Sequence, residues 1–291
     1  MSTVGVDIGG TKIAVGLLDD DGTLSARDSA PTSTAGADAV LAQVSELVAG
    51  LGGTPTAIGV GAPGVVDPVA GVVLSATEVL PGWQGARVRP ELSRVAGLPV
   101  AVDNDVRAFA HAEARLGAGS PYRRVLFVSV GTGVGGALTE DGRLLRGAHG
   151  SAGEIAHLLV SERGPIPCGC GRFDHLEAVV AGPAIAAAAG EATGPAVVER
   201  MRAGDERARA AIGKAATVLG RALAGFVTAV DLDAVVVGGG VSRIGADLLD
   251  PLAEALRAEV RPPGRSMPVL PAALGPDAPV IGAALLAREA T

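Results

Sequence analysis

Three times in this chain a short run of small and β-branched apolar residues stops abruptly in glycine, and this pattern limits the fold more than any other feature. Val4-Gly5-Val6-Asp7-Ile8 leads into Gly9-Gly10-Thr11-Lys12, Val125-Leu126-Phe127-Val128-Ser129-Val130 into Gly131-Thr132-Gly133-Val134-Gly135-Gly136, and Ala234-Val235-Val236-Val237 into Gly238-Gly239-Gly240. Such runs read as buried strands, and glycines behind a strand let backbone N–H groups approach phosphate oxygens closely. One turn of this kind is most often only a tight turn, whereas three point toward a nucleotide. Neither a P-loop nor a complete dinucleotide fingerprint with its ribose-binding acid is present.

The remaining pattern alternates between strand and helix. Residues Thr3 to Leu18 predict a β-hairpin closed by Asp19-Asp20-Asp21-Gly22. Val40, Val44, Leu47 and Val48 share one face of a predicted helix, and Ala57 to Ala62 follow as a buried strand ending in Pro63-Gly64. Val100 to Asp103 form another strand, and Asn104-Asp105 stand where it turns into a helix carrying Phe109, Ala112 and Leu116 on one side. This order predicts α/β architecture. At 291 residues the chain exceeds one ordinary domain, so two lobes are expected. A second lobe begins near Ala118, and the two halves open alike, each with an apolar strand running into a glycine turn.

Composition removes several classes of function. Aromatic residues make up only 2% of the chain, so base stacking on aromatic platforms is not expected. A formal charge of −7 without a Lys/Arg cluster offers no field for nucleic acid or an anionic membrane. The Ala-rich runs are broken by charge or glycine, and none reads as a membrane span. The N-terminus shows no basic region followed by an apolar segment, and the expected location is cytoplasmic. Cys168 and Cys170, the only cysteines, are too close in sequence for a good mutual disulfide, which leaves a metal or a reduced state.

Phosphoryl transfer also requires a group that manages the metal ion and one that orients the nucleophile. Asp7, before the first glycine turn, and Asp105, after a strand, are carboxylates suitably placed for these tasks. The competing reading of Asn104-Asp105 is a helix N-cap.

Taken together, Asp7-Ile8-Gly9-Gly10-Thr11-Lys12, Pro81-Gly82-Trp83, Asn104-Asp105, Gly131 to Gly136, Gly153-Glu154-Ile155-Ala156-His157, Cys168-Gly169-Cys170-Gly171, Val236 to Val241 and Ile281 to Ala287 closely resemble the ROK family of repressors, uncharacterised proteins and sugar kinases. The resemblance spans nearly the whole chain. It implies a two-lobed actin-like ATPase (ribonuclease H-like) α/β fold with ATP and sugar in the interlobe cleft. Residues 1–117 would form the small lobe, rejoined by a C-terminal helix at about 279–291, and residues 118–278 a large lobe with a zinc-binding loop.

Residue roles follow from the same resemblance. Asp7, Gly9, Gly10, Thr11 and Lys12, with Gly131, Thr132 and Gly133, would surround the β- and γ-phosphates of ATP and its Mg2+, and Gly238-Gly239 would lie near adenosine and the α-phosphate. Asp105 would be the general base. Gly64, Glu78, Asn104, Glu154, His157 and Glu177 would face the sugar. His157, Cys168 and Cys170 match three zinc ligands, and His175 stands where the family usually has a third cysteine. Imidazole binds zinc well, so a Cys2His2 site is chemically sound. The alternative is a lost site with His175 in solvent.

The chain also departs from the family pattern at Asp174 for glycine, Arg107 for Asn, Ala181 for Ser, and Glu78-Val79 where an Asn normally faces the sugar. Glu78 would favour a cationic amino sugar if it enters the pocket, or would rest in water after a loop shift. The expected activity is ATP-dependent phosphorylation of a hexose, glucose or an amino or N-acetyl hexose, at the 6-hydroxyl by a homodimer or homotetramer. The other class is a non-catalytic sugar sensor or transcriptional regulator, against which the retained Asp105 and the missing DNA footprint argue.

Overall fold

A computed structural model describes residues 2–77, 80–160 and 165–290. The chain divides into two compact units, one comprising Met1–Gly117, Arg146–Ala152 and Leu274–Thr291, the other Ala118–Leu145 and Gly153–Ala273.

The first unit opens with β1 (Ser2–Ile8), β2 (Lys12–Leu18) and β3 (Leu24–Pro31). Helix α1 (Ala37–Gly50), β4 (Pro55–Ala62), the small hairpin β5 (Val65–Asp67) and β6 (Val72–Ser75), α2 (Val88–Ala96), β7 (Val100–Asn104) and α3 (Asp105–Arg115) follow. The main sheet has the order β3-β2-β1-β4-β7, antiparallel across the first three strands and parallel across the last three. β1 and β4 are buried along most of their length because helices cover both of their faces. Val40, Leu41 and Val44 of α1 and Val88 and Leu92 of α2 join one core with Val4, Val6, Ile8, Ile58 and Val60.

In the second unit, β8 (Arg124–Val130), β9 (Val134–Glu140) and β10 (Arg143–Leu145) precede a 3-10 turn at Ile155–His157 and α4 (Glu177–Val180). Then come α5 (Gly182–Ala189), α6 (Gly194–Arg202), α7 (Glu206–Val230), β11 (Ala234–Gly238), α8 (Ala246–Glu259) and β12 (Val269–Pro271). Its sheet order, β10-β9-β8-β11-β12, repeats that of the first unit strand for strand, with the same switch from antiparallel to parallel pairing. The similar openings of the two halves thus reflect one sheet plan used twice.

Among the described residues one helix, α7, is long and apolar enough to cross a membrane by length and composition, although no run of the sequence was expected to read that way. Its Ile212, Leu219, Leu223 and Val227 form a stripe at helical spacing within the second unit's core.

The final helix, α9 (Ala278–Ala290), returns to the first unit and packs on β1, β4 and α3. Its approach is so close that a side-chain carbon on Gly59 would lie 1.6 Å from the Ala283 carbonyl oxygen. The glycines of β1 and β4 are therefore the seat of this helix.

Candidate active site and metal centre

The first glycine turn joins β1 to β2. Gly9 N donates to the Lys12 carbonyl at 2.9 Å. Buried Thr32 secures the turn from below, its N–H donating to Thr11 O at 3.1 Å and its hydroxyl to Gly9 O at 2.7 Å. Lys12 and Thr11 are exposed, while Asp7, Gly9 and Gly10 are partly buried. Burial pushes the Asp7 carboxyl up to about 7; the Asp105 charge adds to the rise and Lys12 opposes it. The two carboxylates therefore share one electrostatic environment.

Asp105 is the first residue of α3, and its neighbour Asn104 caps that helix. Asn104 Oδ1 accepts from Val106 N at 3.0 Å and Arg107 N at 3.1 Å. Its amide donates to Gly64 O at 3.0 Å and to Asp105 Oδ1 at 2.8 Å, and that same Asp105 oxygen accepts from Val106 N at 2.9 Å. Both amide hydrogens and both acceptor positions of Asn104 are thus occupied within the unit. Asn104, the residue expected to meet a sugar hydroxyl, orients Asp105 and ties it to the Pro63-Gly64 turn. Trp83, fully buried, donates its indole N–H to Pro63 O at 3.1 Å, which gives the Pro81-Gly82-Trp83 motif a structural task in holding that turn.

In the second unit the other two glycine turns lie side by side. Gly239 has φ of 83°, and a side-chain carbon there would come within 2.4 Å of the Val130 carbonyl, one residue before Gly131. Only glycine allows β11 to end against β8 in this way. Gly131 N donates to Gly133 O at 2.9 Å, and Gly131 O accepts from Gly182 N at 2.8 Å. Glu177, the first residue of α4, accepts the Val134 N–H at 2.9 Å through Oε2. A residue expected to face the sugar thus has one carboxylate oxygen on the glycine turn. No local signal in the sequence connects these two segments.

The loop leading into α4 gathers His157, Cys168, Cys170 and His175, whose donor atoms all lie within 4.8 Å of one another. His175 Nδ1 is 3.2 Å from His157 Nδ1 and 3.2 Å from Cys170 Sγ. Tetrahedral ligands at ordinary zinc–nitrogen lengths sit about 3.3 Å apart, so the cluster fits a zinc ion. The cysteines are free thiols. His175 is only 6% exposed, so the alternative of a solvated His175 does not hold. Asp174 has φ of 59°, the left-handed region that explains the family's glycine. Here Asp174 Oδ1 accepts from Ile166 N at 2.8 Å, which offsets the strain by closing the loop.

Of the other expected sugar ligands, Glu154 is partly buried at the start of the 3-10 turn that also carries His157. Glu78 lies outside the described residues. Sequence reasoning noticed Arg107 only as a departure, yet it is 2% exposed and sits in a buried ion pair with Asp103, 3.3 Å away.

The sheet plan used twice, with glycine turns behind β1, β8 and β11, defines an actin-like ATPase class of fold. A ROK family model matches residues 3–290. The N-acetylmannosamine kinase of Citrobacter koseri is 36% identical over 99% of this chain and 99% of its own, and the glucokinase of Halalkalibacterium halodurans is 32% identical over 98% and 94%. A ROK family glucokinase from Streptomyces griseus, solved in complex with glucose and AMPPNP, superposes with a TM-score of 0.88 at 34% identity, covering 99% of this chain and 100% of that one. This chain belongs to the ROK family.

Proposed function

We propose that this ROK-family sugar kinase transfers the γ-phosphoryl group of ATP to the 6-hydroxyl of a hexose, glucose or an amino or N-acetyl hexose, with Asp105 as general base. The observation that carries this reading is the Asp105 carboxylate at the start of α3, oriented by Asn104 and Val106. A silent sugar-binding module has no chemical need for a base held in that way.

In the step proposed, the hydroxyl oxygen bonds to the γ-phosphorus as its proton passes to Asp105, the bond from that phosphorus to the bridging oxygen breaks, and ADP leaves with the bridging oxygen. A loose transition state leaves the protein mainly to position and to neutralise charge. The Gly9 and Gly131 N–H groups close their own turns, and the rest of the Gly9-Gly10-Thr11 and Gly131 to Gly133 backbone, with Lys12, serves the β- and γ-phosphates, while Gly238-Gly239 serves the α-phosphate and adenosine. Mg2+ would supply charge neutralisation, and Asp7, burdened by burial and by Asp105, is the carboxylate that a divalent cation would favour in ionised form. Zinc would be structural, held by His157, Cys168, Cys170 and His175. Glu154, His157 and the Gly64 turn face the sugar, and Glu177 serves the sugar with its second oxygen.

The reading is tested by coupled ADP release over glucose, glucosamine and N-acetyl hexoses, with phosphorus NMR to locate the new ester and polyphosphate as a second donor. Turnover of one panel member to its 6-phosphate supports it, and absence of turnover across the panel rejects it. It extends to a cytoplasmic homodimer or homotetramer, which sedimentation of the purified protein would size.

A further inference from the structure

Buried Arg107 and Asp103, with Arg146, whose side chain is 39% exposed, form a clasp beside the Asn104-Asp105 cap. Asp103 and Arg107 are 1% and 2% exposed. Asp103 Oδ1 accepts from Arg107 Nη1 at 3.3 Å and from Asn104 N at 2.8 Å, while Oδ2 accepts from Arg146 Nε at 2.8 Å. Arg107 Nη2 also donates to the Gly150 carbonyl. Arg146 and Gly150 belong to Arg146–Ala152, a strap that folds with the first unit although the chain on either side of it belongs to the second. The strap is closed on itself by Ala152 N donating to Arg146 O at 3.2 Å. A side-chain carbon on Gly150 would touch Val65 and the Val66 carbonyl at 3.7 and 3.8 Å, so the strap rests on β5. β5 begins one residue after Gly64, whose carbonyl holds Asn104.

We infer that Arg107, Asp103 and Arg146 are positioning residues for the sugar side of the reaction, holding the strap on β5 so that the Gly64 turn and the Asn104-Asp105 cap keep one geometry. The clasp is costly to maintain, because the Arg107 guanidinium and the Asp103 carboxylate are drawn from water, and the directional bonds they make fix one arrangement of cap and strap. Its hydrogen bonds divide between two places: the cap, through Asn104 N, and the strap, through Gly150 O and Arg146. Immediately after the strap in sequence come Gly153 and Glu154, a proposed sugar ligand. The inference rests on the sugar-kinase reading.

The test uses the full chain. In Arg107→Met alone the Asp103 charge loses one partner, so the companion variant is Asp103→Asn/Arg107→Met, which removes that imbalance. Hydrogen exchange should show protection at residues 146–152 lost in both. The KM for sugar should rise about tenfold or more and kcat should fall, the scale of a small displacement at a positioned site, with the KM for ATP within about twofold of wild type. Arg107→Lys, which keeps a cation, should recover part of the sugar KM. Equal increases in both KM values, or wild-type sugar kinetics despite lost protection, would overturn the inference while the sugar-kinase reading stands. Should the wild type turn over no sugar, that reading fails instead. Exchange across 146–152 and 64–67 then decides the clasp: protection lost in both segments supports it, and unchanged protection overturns it.

Discussion

The Asn104 side-chain amide donates to Asp105 Oδ1 at 2.8 Å, and the same amide holds the Gly64 carbonyl at 3.0 Å. The cap of α3 and the setting of the proposed base are therefore one device. Asp105→Asn keeps the side chain's shape but removes its basicity. Its kcat is expected to fall about a hundredfold or more, the scale of losing a positioned general base, with the KM for ATP and the melting temperature little changed. Steady-state kinetics beside calorimetry check this, and near-normal turnover would remove Asp105 from its role.

Asn104→Ala is a different experiment. Losing the cap should cost about 1 kcal/mol of stability. Losing the bond to Asp105 should also lower kcat, since the carboxylate then rotates. If denaturant unfolding reveals the stability loss while kcat stays at the wild-type value, Asn104 acts as a cap and nothing more.

Glu177 offers a test of which substrate it serves. Its Oε2 holds the Val134 N–H at 2.9 Å, and a hydrogen bond to a charged acceptor contributes about 2 kcal/mol. Glu177→Ala should loosen the Gly131 to Gly133 turn and raise the KM for ATP roughly tenfold, whereas Glu177→Gln retains an acceptor and should change it less. A rise confined to the sugar KM would place Glu177 on the sugar alone.

Asp7 predicts a pH dependence. Its folded-state pKa of about 7 exceeds the ordinary value of 3.8, so between these limits the folded chain binds more protons than the unfolded one. Asp7 therefore costs nothing at pH below 3.8, and stability falls as pH rises toward 7. Without nucleotide or divalent cation, Asp7→Asn should lie above the wild type in melting temperature at pH 8 and converge with it at pH 4. Parallel curves across that range would show that Asp7 is not held in this state.

What the sequence revealed was what local pattern encodes. Val4 to Ile8, Val100 to Asp103 and Val125 to Val130 are strands because their apolar runs are buried, and the glycines after β1, β8 and β11 lie at the turns expected of them. The resemblance supplied the ROK family. It was through-space pairing that stayed hidden. Asn104 looks the same in sequence whether its amide meets a hydroxyl or Gly64. Glu177 finds Val134 only after α4 is placed against the β8–β9 turn. Nothing between Leu145 and Gly153 announces that Arg146–Ala152 folds with the first unit, because the partners that hold it there lie about forty residues earlier.

The metal site gives the last prediction. His157, Cys168, Cys170 and His175 place their donor atoms within 4.8 Å of one another, and the two Nδ1 atoms approach to 3.2 Å, a spacing compatible with two ligands of one cation. The purified protein is expected to carry one zinc per chain, measured by elemental analysis after preparation without chelators. With Nδ1 of His157 on the metal, the ring is fixed and Nε2 is left for a sugar hydroxyl. His175→Ala should therefore lower zinc content and raise the KM for sugar. Because His175 stands two residues before Glu177, the KM for ATP should rise as well, by a smaller factor. His175→Cys should keep the metal, since a thiolate is the family's own ligand there. Asp174→Gly relieves the left-handed strain at φ of 59° but loses the bond to Ile166 N, so zinc content should be retained with little change in stability. Zinc-free wild type with full activity would reduce the cluster to a folded loop without a metal.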